Sequence, residues 1–87
     1  MKFYLLANGI MLSGLSLDNA IENSGVAISQ DGYVALGVED DEGACDLLVK
    51  VGGELKISND YKSTRFKDFK YITDEVIPTL KSKFGVN

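Results

Sequence analysis

Five carboxylates fall within eight residues, at Glu39, Asp40, Asp41, Glu42 and Asp46. Oxygen ligands at such density are what hard cations take. The alternating acids of a calcium loop, with a central glycine and a closing glutamate, are missing, and four consecutive acids cannot all turn inward. The stretch is therefore expected to be a solvated charged loop at a hairpin end, with no metal site. The function it serves best is contact with the basic surface of another protein.

A second run, from Tyr61 to Tyr71, interleaves four bases with four aromatics. Cations that meet phosphates, alternating with rings that stack on bases, are the means by which single-stranded nucleic acid is held. Phe66 and Phe69 are expected on the buried stripe of a helix and cannot also stack on bases. The exposed remainder, Tyr61, Lys62, Arg65, Lys67, Lys70 and Tyr71, forms the alternative phosphate-binding set. An ordinary basic helix face accounts for the same residues.

Groups for catalysis are scarce. The chain has no histidine and a single cysteine, Cys45. That removes every Ser-His and Cys-His pair, any intramolecular disulfide and a thiolate zinc site. The glycines form neither G-x-G-x-x-G nor G-x-x-x-x-G-K-[ST], so no nucleotide fingerprint exists. A non-enzymatic protein without a cofactor is expected, in a reducing compartment such as the cytoplasm.

Charge is unevenly spread. The formal net charge is −4, yet residues 1–49 carry one base against eight acids and residues 50–87 carry eight bases against five acids. The overall sign discourages non-specific attachment to nucleic acid or anionic membrane. Phe3 to Leu15 is apolar behind Lys2, as in a short signal sequence, but Asn8, Gly9, Ser13 and Gly14 interrupt it and it is expected to stay with the folded chain. No stretch approaches the eighteen or so apolar residues of a membrane span. In size, acidity and absent catalytic groups the chain is similar to small proteins encoded by phages and mobile elements. That resemblance implies an inhibitor that blocks a host nucleic-acid-handling protein through an acidic surface.

The elements that must position these residues follow from punctuation and periodicity. With 87 residues, 45 % apolar and 25 % charged, one α+β domain is expected. Lys2 to Ala7 reads as an interior strand, and Asn8-Gly9 as the two-residue hairpin turn that returns it through Ile10 to Ser13. Ser16 caps a short helix over 17–24, with Gly25 as its stop. Val26 to Gln30, turning at Asp31-Gly32 into Tyr33 to Val38, reads as a second hairpin. A third joins Leu47–Val51 to Leu55–Ser58 by a three-residue loop and a bulge around Gly52-Gly53. A long C-terminal helix, about 65–84, is expected to pack on one sheet face through Phe66, Phe69, Ile72, Val76, Ile77, Leu80 and Phe84, with a kink near Pro78. The edge strand within 47–58 also offers pairing with a second copy, a self-associating homodimer.

Overall fold

The computed structural model describes residues 1–41, 43–63 and 66–87. Among them the chain forms a five-stranded antiparallel sheet of β1 (Lys2–Ala7), β2 (Ile10–Leu15), β3 (Val34–Asp40), β4 (Gly43–Val51) and β5 (Glu54–Ile57). The strands lie in the order β2-β1-β3-β4-β5. Helix α1 (Leu17–Ile28) joins β2 to β3, and a 3-10 turn (Asp60–Ser63) follows β5. The C-terminal helix α2 spans 69–84 and packs on the sheet. This is the α+β architecture expected.

Asn8-Gly9 makes the hairpin expected of it. Asn8 has φ 52° and Gly9 φ 79°, the positive pair that a type I′ turn demands, and Ala7 faces Ile10 across it. The return strand runs two residues beyond Ser13, to Leu15, by absorbing a bulge between the Phe3–Leu15 and Leu5–Leu12 pairs.

The hairpin expected over 26–38 is not there. Helix α1 begins as expected, with the Ser16 hydroxyl accepting from the Asn19 N–H, but passes through Gly25 and ends at Ile28, with Ser29 as its C-cap. Packing overrides the Val26-Ala27-Ile28 strand signal. Ala20, Ser24 and Ala27 form a small-residue face that seats the helix closely, and the buried Ser24 hydroxyl donates to the Ala20 carbonyl at 2.6 Å. With 26–30 helical, β3 pairs instead with β1, from Lys2–Glu39 to Ala7–Val34.

The third hairpin also differs. Its turn has two residues, with Val51 opposite Glu54 and Val49 opposite Lys56. The bulge lies within β4, where Leu36 faces Leu48 but Gly37 faces Asp46, leaving Leu47 between them. That extra residue lets Leu47 and Leu48 both enter the core. It also turns Lys50 toward the helices, where its ammonium donates to the carbonyls of Ile28 at 2.8 Å and Gln30 at 2.6 Å. A cation thus closes the end of α1, whose own last turn has no basic residue.

Helix α2 starts at Phe69 rather than 65; Arg65 lies outside the described residues. In place of a simple kink before Pro78, Ile72–Val76 forms a π turn, closed by the Ile77 N–H on the Ile72 carbonyl. The wider turn accommodates the missing N–H and the bulk of the proline ring.

One core joins these elements. Phe3 and Leu5 of β1, Val34, Leu36 and Val38 of β3, and Leu47 and Leu48 of β4 pack with Ala20 and Ala27 of α1 and with Ile72, Val76, Ile77 and Leu80 of α2. The strand residues in this cluster share one sheet face through the cross-strand pairs Phe3–Val38 and Leu5–Leu36. Among the described residues, the helices cover that face and leave the other without a helical layer. No helix among them is long and apolar enough to cross a membrane.

Candidate protein-contact surface

The alternation that sends Phe3 and Leu5 inward turns Lys2, Tyr4 and Leu6 to the uncovered face. Cross-strand register adds Ala35, Gly37 and Glu39 from β3, Met11 from β2 and Asp46, Val49 and Val51 from β4. Ala35 is nevertheless fully buried and Tyr4 only 6 % exposed, although no helix lies over them. Tyrosine rings supply the cover. Tyr4 lies across Gly37, where an added Cβ would overlap its ring and stand 2.5 Å from the Cys45 carbonyl oxygen. Its hydroxyl donates to Asp46 Oδ1 at 2.5 Å. The Tyr33 hydroxyl donates to Asp46 Oδ2 at 3.4 Å, which lays that ring along β3 from the opposite direction.

Two phenols therefore converge on one carboxylate. Burial, then the hydrogen bond to Asp46 and its charge, pushes the Tyr4 hydroxyl far above the ordinary tyrosine range. Burial followed by the Asp46 charge raises Tyr33 as well. The pair stays protonated at neutral pH, as two donors to one carboxyl group. Neither tyrosine stands out by motif. The signal in the sequence is Gly37, an isolated glycine in an apolar strand, which marks a place where another group approaches the backbone closely.

Asp46 is thus occupied within the sheet face and does not join the other acids. Glu39 and Asp40 end β3, where the pleat sends their side chains to opposite faces, and Asp40 pairs with Gly43 across the hairpin end. Glu39 is half-buried and accepts from the Gly14 N–H at 3.1 Å, while Asp41 is exposed. Met1, Lys2, Glu39, Asp40 and Asp41 line one shallow open depression. Glu42 lies outside the described residues. Among those residues, no three His, Cys, Asp or Glu side chains are grouped to hold a metal ion. The result is a diverging acidic corner at the rim of the uncovered face.

The basic-aromatic run divides differently from the sequence expectation. Tyr61, expected on the surface, is 2 % exposed: the 3-10 turn drives its ring into the core against Phe69, with centroids 5.6 Å apart, and its hydroxyl lies 3.4 Å from Thr73 Oγ1. Phe69, expected in the core, is 39 % exposed where α2 begins. Lys62, Lys67, Lys70 and Tyr71 are exposed as expected. Lys70 pairs with Asp74 at 3.3 Å. Lys67 shares a depression with Asp40, Asp41 and Asp68, a poor neighbourhood for a phosphate.

No protein-family model, curated protein or solved structure matches the chain.

Proposed function

We propose that this chain is a non-enzymatic protein-binding domain that docks on a basic surface of another protein. The observation that carries the proposal is the acidic corner of half-buried Glu39 and Asp40 with exposed Asp41, beside a sheet face that, among the described residues, is bare of helices and bears Tyr33, Met11 and Val51. Carboxylates at a rim steer a basic partner and set its orientation. Aromatic and Met side chains beside them supply contact area of the kind enriched at interfaces. In its sharper form, the domain inhibits a nucleic-acid-handling protein by occupying the Lys/Arg-rich channel kept for phosphates. Asp46 contributes by holding Tyr4 and Tyr33 flat, rather than by touching the partner directly.

The test compares affinity capture from the native cell by the wild-type chain and by an Asp40→Lys, Asp41→Lys, Glu42→Lys variant. Loss of a captured protein with a basic surface is expected. Equal recovery of the same proteins by both would overturn the acidic contact. A titration with single-stranded DNA and RNA at low salt should show no affinity, and measurable binding there would favour the basic-aromatic run 61–71 instead.

A further inference from the structure

The outer edge of β2 is unlike the rest of the surface. Among the described residues nothing pairs with it, and Ile10, Met11 and Leu12 are 68 %, 57 % and 42 % exposed. Natural edge strands are usually guarded by charge, proline or brevity. The opposite edge, β5, is four residues long and carries Glu54 and Lys56. By contrast, residues 3–17 contain no charged side chain. Of the segment 47–58 that the sequence offers for self-pairing, the part in β4 is flanked by strands on both sides, and β5 is that short, charged edge. We propose that β2 pairs antiparallel with β2 of a second copy about a two-fold axis at Leu12, joining two sheets into one of ten strands.

Backbone polarity fits this register. In a two-residue hairpin the flanking pair, Ala7 and Ile10, is hydrogen-bonded, so the backbone groups of Met11 point away from β1, and by alternation those of Ser13 do too. A two-fold at Leu12 sets Met11 against Ser13 of the second copy twice, satisfying these outward groups. Side chains fit as well. Ile10 falls opposite Gly14 of the second copy, which leaves it room. On the helix side, Leu5, Ala7, Ile10 and Leu12 line an open apolar groove of about 210 Å³, bordered by Asn8 and Gln30. The two-fold brings both Leu12 side chains together beside it.

Charge selects a second copy over a foreign strand. A chain of net charge −4 repels its own kind wherever acids face each other. The β2 edge brings no charges together, and antiparallel pairing sends the two acidic corners to opposite ends of the joined sheet. The bulge beyond Ser13 keeps the ladder short, so the dimer belongs with small, reversible interfaces.

Sedimentation velocity from micromolar to millimolar protein should show reversible conversion from monomer to dimer. Leu12→Lys sets two like charges on the axis and should weaken the dimer by about tenfold or more, whereas Lys56→Gln on the other edge should leave it unchanged. In a Cys45→Ala background, Leu12→Cys should oxidise to a covalent dimer, because a non-hydrogen-bonded pair on the axis has its Cα atoms about 4.5 Å apart, within disulfide reach. A wild-type chain that remains monomeric throughout would overturn the proposal. So would undiminished association of Leu12→Lys, or a natively folded Leu12→Cys chain that forms no cross-link.

Discussion

Tyr4 is held at the hydroxyl end of its ring, with Gly37 beneath it and Asp46 accepting from its hydroxyl. Removing the hydroxyl with Tyr4→Phe keeps the cover over Gly37 but deletes a hydrogen bond to a charged acceptor, with an expected loss of about 1.5–3 kcal/mol in denaturant unfolding. The same variant reports on pH. Below about pH 10, the ordinary tyrosine value, folded and unfolded chains both keep the Tyr4 proton, so its contribution is fully present. Above it the unfolded chain releases that proton while the folded chain retains it, so stability falls by up to about 1.4 kcal/mol per pH unit from this group. The alkaline slope should be shallower in Tyr4→Phe than in the wild type, and equal slopes would show that the phenol ionises alike in both states. Gly37→Ala attacks the same contact from the backbone beneath the ring. Its methyl group meets the Tyr4 ring and the fixed Cys45 carbonyl, so thermal unfolding should show a loss of about 1–3 kcal/mol. Of this site, the sequence exposed the acids but neither Gly37 nor the tyrosines, because tyrosines 29 residues apart meet only once β1 lies beside β3.

At the scale of elements, what could be read from the chain was what local chemistry decides. Asn8-Gly9 dictates its turn because few residues tolerate two successive positive φ values, and Ser16 caps α1 because its hydroxyl reaches an amide three residues ahead. The length of α1 was not legible, since its last turn is held from outside by Lys50, 20 residues from the nearer of its carbonyl partners. Moving the bulge from the Gly52-Gly53 turn to Leu47 is what carries Lys50 there. Lys50→Met keeps much of the apolar stem and removes the ammonium. It should cost about 1–2 kcal/mol in thermal unfolding and speed amide exchange in the last turn of α1, whereas Lys56→Met, on the uncovered face, should do neither. Unchanged exchange in that turn would mean that the helix end does not depend on the cation. Burial of Tyr61 was hidden for a similar reason: a 3-10 turn, rather than an early start to α2, sets the direction of its ring.

For the whole molecule, the decisive asymmetry is between a charged corner and an uncharged edge, and salt separates their roles. At about 0.1 M salt the screening length is about 10 Å, so raising ionic strength weakens attraction between exposed charges on different molecules. Docking of a basic partner at Glu39, Asp40 and Asp41 should therefore become weaker from about 0.05 to 0.5 M salt, chiefly through a slower association rate. Pairing of β2 edges brings no opposite charges together and joins two bodies that each carry net charge −4. Screening relieves their mutual repulsion, and the apolar contact of Ile10 and Leu12 persists, so self-association should hold or strengthen over the same range. Opposite salt responses of partner capture and dimerisation, measured on one preparation, would show that the two surfaces act independently. A parallel decline would mean that charge contacts also hold the copies together, and the symmetric pairing at Leu12 would then be the wrong interface.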